Sequence, residues 1–175
     1  MQGGSGFRLR PLASGFDADT DNDTDTDPDP DKDTERIMNA VAPKAGIYLH
    51  IPFCIRKCPY CDFYSTSNLS LVSAFVDALI AEIRMEGNGR AWDAVEFDSV
   101  YIGGGTPTVM DTRALLRIMG ALYETFFISD VAEITIEANP ATLSKDQLTA
   151  LRKGGINRIN IGVQSFDDAN LSFLG

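Results

Sequence analysis

Residues 46–65 read Gly46-Ile-Tyr-Leu-His-Ile-Pro-Phe-Cys-Ile-Arg-Lys-Cys-Pro-Tyr-Cys-Asp-Phe-Tyr-Ser65. The first half alternates: Ile47, Leu49, Ile51 and Phe53 fall on one side, Tyr48 and His50 on the other. A period of two predicts a strand with one apolar and one polar face. It runs directly into Cys54, and Cys58 and Cys61 follow within eight residues; the chain has three cysteines in all. An odd number gathered so tightly is no disulfide framework. In a chain without a secretion signal, such spacing points to metal binding or redox chemistry.

Downstream, Ser70–Glu86 places Leu71, Phe75, Leu79 and Ile83 at helical spacing. Asp98–Ile102 is a short strand entering Gly103-Gly104-Gly105, and Asp111 is placed to cap a helix carrying Leu115, Leu116, Met119, Leu122 and Phe126. Ala132–Glu137 reads as a third strand, closed by Asn139-Pro140. Ser144 and Gln147 form a capping box for a short helix ending at Gly154-Gly155. Asn157–Val163 is a fourth strand, and Asp167–Gly175 reads as the first turns of another helix. Strands alternating with helices predict a parallel α/β sheet with right-handed crossovers. The 175 residues are too few for a closed eight-unit barrel, which takes roughly 250. The chain ends at Leu174-Gly175 with no closing element, so the expectation is an N-terminal piece of a longer protein.

The net charge is −10, unevenly placed. Residues 1–36 hold ten acids against four bases, and Asp17 to Asp33 contains no large apolar side chain. Such a segment cannot bury enough surface to offset its ordering entropy, so residues 1–44 are expected to form a disordered acidic tail. An EF-hand loop is a poor alternative: counted from Asp19, the positions that need Gly and Glu are Thr24 and Pro30. Met38 is an alternative start. No stretch approaches about 18 consecutive apolar residues and no signal-peptide core precedes a cleavage site, which makes cytoplasm the expected location. An acidic chain without a basic stripe argues against nucleic-acid binding.

Parallel α/β sheets bind ligands at the carboxyl ends of their strands. Here those ends are Cys54, the triple glycine with Thr106-Pro107-Thr108, Glu137, and Gln164-Ser165. Three thiolates in one loop suit three corners of a [4Fe–4S] cube, leaving one iron open for an outside ligand. The competing reading is structural zinc in a Cys₃His site with His50 as fourth ligand. No Gly-Lys-Ser/Thr follows the glycines, so this is no Walker loop.

Cys-x3-Cys-x2-Cys resembles the signature of the radical S-adenosylmethionine (SAM) superfamily. With its flanks, and with Gly103-Gly-Gly-Thr-Pro-Thr108, Ile134-Thr-Ile-Glu-Ala-Asn-Pro140 and Gly162-Val-Gln-Ser-Phe166, residues 45–175 resemble the oxygen-independent coproporphyrinogen III oxidase-like family. The true oxidases carry an extra cysteine two residues after the third; here that position is Phe63, as in the haem-chaperone branch. The implied fold is a partial parallel (β/α) barrel of the radical SAM type, truncated after about four βα units. The resemblance implies that Cys54, Cys58 and Cys61 hold the cluster and that SAM chelates its open iron. Tyr48, Tyr60, Gly104, Gly105, Thr106, Glu137 and Gln164 would line the SAM site, the glycines letting backbone amides approach a charged ligand. In the family mechanism the reduced cluster passes an electron to the SAM sulfonium, giving methionine and a 5′-deoxyadenosyl radical. Implied partners are haem (bound by the full-length protein) or a porphyrinogen, an electron donor such as flavodoxin or ferredoxin, and a haem-acceptor protein. No nucleic acid is implied, and membrane contact would come only through the acceptor.

Overall fold

The computed structural model describes residues 44–174 apart from Ala141. The expectations for the acidic tail, the calcium loop and Met38 lie outside the described residues. Four strands form one sheet in the order β1-β2-β3-β4: β1 Lys44–Ile51, β2 Glu96–Gly104, β3 Ile128–Ala138 and β4 Arg158–Ile161. Every pair is parallel. Between them lie α1 Val72–Gly87, α2 Thr112–Thr125 and α3 Lys145–Lys153, with α4 Asp168–Leu174 after β4. Sequential order with a helix in each crossover is the winding of a barrel, and it makes this α/β fold a partial parallel (β/α) barrel.

The helices begin where the side chains dictate. Asp111 accepts the Arg113 amide at 2.7 Å, and Ser144 and Gln147 close their reciprocal box at 3.3 and 2.8 Å. The α1 start differs from the sequence reading. Asn68 first caps a 3₁₀ turn over Leu69–Leu71, which leaves Leu71 half exposed, and the buried stripe becomes Val76, Leu79, Ile80 and Ile83. α2 buries Leu115, Ile118, Met119 and Leu122. These pack with Ile47, Leu49, Ile51, Val100, Ile102, Ile134 and Ile136 in one core. Each such side chain contributes about 1.5–3 kcal/mol when fully withdrawn from water.

Strand limits shift modestly. β1 begins at Lys44, a residue the tail was expected to include. β3 begins at Ile128 rather than Ala132, because Ile128 pairs with Phe97 before a register shift. Its Asp130 and exposed Val131 break the alternation that marks a strand in sequence. β4 is only four residues long.

The face opposite the helices carries Tyr48 and His50 from β1, Tyr101 and Gly103 from β2, Thr135 and Glu137 from β3, and Arg158 and Asn160 from β4. The register aligns Tyr48 with Tyr101 and Thr135, His50 with Gly103, and Glu137 with Asn160. This polar inner face meets the loops at the carboxyl ends of the strands.

Candidate functional site

The cysteine loop is closed on itself by backbone bonds. Thr66 donates its N–H to Pro52 O at 2.7 Å, Cys54 donates to Thr66 O at 3.0 Å, and Cys61 donates to Cys58 O at 3.1 Å. All three thiols are free and partly exposed. A side-chain bond closes the loop further. His50 Nε2 lies 2.9 Å from the Tyr64 carbonyl, an acceptor only, so Nε2 carries the proton. In the neutral ring Nδ1 then accepts from Tyr48 Oη at 3.1 Å. Both nitrogens are thus engaged, and the Cys₃His zinc site weighed from sequence is not assembled. Among the described residues no three His, Cys, Asp or Glu side chains gather as ligands of a single metal ion. A cube presents its irons at separate corners, so its thiolates need not converge on one point.

The glycine turn packs directly under this loop. Gly105 donates to Ile51 O at 2.8 Å and Thr106 to Phe53 O at 2.7 Å. A Cβ at position 105 would stand 2.6 Å from Phe53 O, so only glycine lets the two backbones meet. Gly104 has φ +114°, and a Cβ there would lie 2.5 Å from the His50 ring. The Thr106 hydroxyl, buried, approaches Cys54 Sγ at 3.9 Å and receives Asn139 Nδ2 at 3.4 Å. Gly104 donates its N–H to Glu137, so the amides of Gly104, Gly105 and Thr106 are all engaged within the protein.

Glu137 is fixed at both oxygens. Tyr101 Oη donates to Oε1 at 2.6 Å and Gly104 N donates to Oε2 at 3.0 Å. Each oxygen keeps a second lone pair for a ligand donor. Tyr48 and Tyr101 stack with centroids 6.1 Å apart and planes at 27°. The Tyr48 hydroxyl is pushed above its ordinary pKa by burial first, then by the Glu137 charge. Tyr101 is raised chiefly by burial and by its bond to Glu137. Tyr60, exposed on the cysteine loop, is raised first by its hydrogen bond with Cys58.

Gln164 lies three residues beyond β4, which ends at Ile161 and not at Val163 as the sequence suggested, exposed and in left-handed backbone, φ 66°, with Nε2 beside Gly162 and Asn139. A non-glycine residue in that region costs about 1–2 kcal/mol, the kind of strain that concentrates at ligand sites. The structure brings Thr106 and Tyr60 to the thiols of Cys54 and Cys58, packs Gly105 against the strand leading into the loop, and joins Gly104 to Glu137, while Tyr48 reaches the loop through His50 and Gln164 stays exposed beyond β4. Tyr101 and Asn160, which the sequence reading did not single out, join Glu137 through hydrogen bonds. Tyr101 shares strand parity with Gly103, and Asn160 has the register of Glu137, so parity was the available signal.

The donor set suits an iron–sulfur cluster with an open iron. It offers three partly exposed free thiols on one closed loop, and the same loop carries a buried Ser65 Oγ without a partner. A family model for the radical SAM superfamily matches residues 48–174. The chain belongs to the radical SAM superfamily. Within the superfamily it is 41% identical over 127 residues to the heme chaperone HemW of Buchnera aphidicola subsp. Schizaphis graminum, covering 71% of this chain and 33% of that protein. It is 39% identical over 127 residues to the oxygen-independent coproporphyrinogen III oxidase of Bradyrhizobium diazoefficiens, covering 70% and 28%. The solved structure of coproporphyrinogen III oxidase (HemN) from Escherichia coli, a radical SAM enzyme, superposes with TM-score 0.68 at 32% identity. That match covers 76% of this chain and 30% of that one. The chain thus spans about a third of the length of these relatives. No helix among the described residues is long and apolar enough to cross a membrane.

Proposed function

We propose that this chain carries the cluster- and SAM-binding part of a haem chaperone-like radical SAM protein. The observation that carries the proposal is the closed loop of three free thiols packed directly on the glycine turn, the same turn whose Gly104 N–H holds the Glu137 carboxylate. Cys54, Cys58 and Cys61 hold a [4Fe–4S] cluster. Glu137 accepts from a SAM donor, Tyr48 and Tyr60 flank the cofactor, Gly104 and Gly105 allow its close approach, and Gln164 extends the site along the rim. When bound, the cluster supplies the electron that cleaves SAM. The chain's own contribution is positional: His50 pins the loop to the sheet and Thr106 steadies Cys54.

Phe63, where the oxidases place an additional cysteine, supports the chaperone reading. So does the similarity to HemW. In this reading haem is bound and passed to an acceptor protein, with the reducing electron from a flavodoxin or ferredoxin. The similarity to two coproporphyrinogen III oxidases supports a second reading, oxidative decarboxylation of a porphyrinogen. The deciding experiment offers haem and coproporphyrinogen III separately to the reconstituted protein embedded in its full-length sequence. Stoichiometric haem binding without porphyrinogen decarboxylation is the expected result. Turnover of coproporphyrinogen III replaces the first reading with the second.

A further inference from the structure

Tyr101 is given no role of its own in the reading above, yet its hydroxyl joins three strands. Oη donates to Glu137 Oε1 at 2.6 Å and accepts from Asn160 Nδ2 at 3.1 Å. A phenol has one proton, and the acceptor-only carboxylate takes it, so Asn160 must present its amide N–H. The chain Asn160 to Tyr101 to Glu137 therefore has a single polarity, the condition under which successive hydrogen bonds strengthen one another. Gly103 makes the arrangement possible. A Cβ there would stand 2.7 Å from the Tyr101 ring and 2.9 Å from the Glu137 carboxyl carbon. On its other face the ring stacks on Tyr48.

We propose that Tyr101 is a positioning residue: steadied by Asn160, it fixes the Glu137 carboxylate across the Gly104 turn and so sets the affinity of the site for SAM. The proposal rests on the reading of Glu137 as a SAM-binding residue. A glutamate side chain has three rotatable bonds, and one backbone N–H at Oε2 leaves the carboxylate free to swing about that anchor. The rigid phenol at Oε1 supplies the second anchor. The two unused lone pairs then point in set directions before any ligand arrives, and the ordering cost on binding falls. A tyrosine serving only as packing has no need of a carboxylate partner.

The test is equilibrium dialysis of SAM against the anaerobically reconstituted protein in a double-mutant cycle of Tyr101→Phe and Glu137→Gln. Tyr101→Phe is expected to weaken SAM binding about tenfold, the weight of a hydrogen bond to a charged group. Iron content and melting temperature stay at wild-type values. In the Glu137→Gln background the same change adds nothing, because it acts through that carboxylate. Asn160→Ala, on the exposed edge strand, is expected to weaken binding about threefold and keeps the cycle available if Tyr101→Phe fails to fold. Wild-type affinity in Tyr101→Phe with a weakened Glu137→Gln overturns the proposal and leaves the site reading standing. An undiminished Tyr101→Phe effect in the Glu137→Gln background also overturns it. Wild-type affinity in Glu137→Gln removes the site reading, and the proposal with it.

Discussion

Three thiols on one loop define the chemistry at the scale of single residues. Cys58 lies midway, with its carbonyl bonded to the Cys61 amide and its thiol bonded to Tyr60. Under the proposed assignment Cys58→Ala removes one of the three cysteine ligands, and iron retention after reconstitution is expected to fall to background. A full cluster in that variant contradicts the ligand assignment. Glu137 is proposed to act at the same scale but on a different ligand, SAM. Glu137→Ala is expected to leave iron content unchanged while SAM affinity drops about tenfold, read by dialysis. Unchanged affinity removes Glu137 from the site. The cysteines stood out in the sequence by their tight spacing after β1, and Glu137 as a carboxylate near the end of the apolar run of β3. The lock of His50 on the Tyr64 carbonyl was not, because it joins residues fourteen apart through a loop whose path no periodicity encodes.

At the scale of elements, the glycine turn and the cysteine loop stand or fall together. Their contact is backbone on backbone: Gly105 on Ile51 and Thr106 on Phe53. Gly105→Ala drives a methyl into the Phe53 carbonyl, which cannot rotate away, and is expected to cost about 2 kcal/mol in urea denaturation. Gly120→Ala is the contrast. That glycine lies inside α2 with open space around it, so alanine is expected to stabilise by about 0.5–1 kcal/mol. Equal effects of the two substitutions would show that the turn is not in tight contact. Elements with local signals were readable in advance. Asp111 and the Ser144–Gln147 box start their helices where the sequence placed them. The start of β3 was not readable, since Ile128 is held by pairing with Phe97 and not by its own pattern.

At the scale of the whole molecule, strand order separates the two sides of the sheet. Sequential parallel winding places every crossover helix on the apolar face and leaves Tyr48, His50, Tyr101, Glu137 and Asn160 on the other. This separation was foreseeable from the β-α alternation, whereas the hydrogen-bonded chain across β2, β3 and β4 required the register. Residues 17–33 carry no large apolar side chain with which to add to a core. Deletion of residues 1–37 is expected to leave melting temperature and cluster content unchanged. A lost cluster would assign that segment to the site.

The central claim is that this loop holds an iron–sulfur cluster with one iron open to SAM. Anaerobic reconstitution with iron and sulfide, followed by electron paramagnetic resonance of the reduced protein with and without SAM, tests it most directly. The account predicts a [4Fe–4S]⁺ signal whose shape shifts when SAM is added. A reduced-cluster signal that SAM leaves unchanged, or a protein that holds one zinc and no iron, would contradict it.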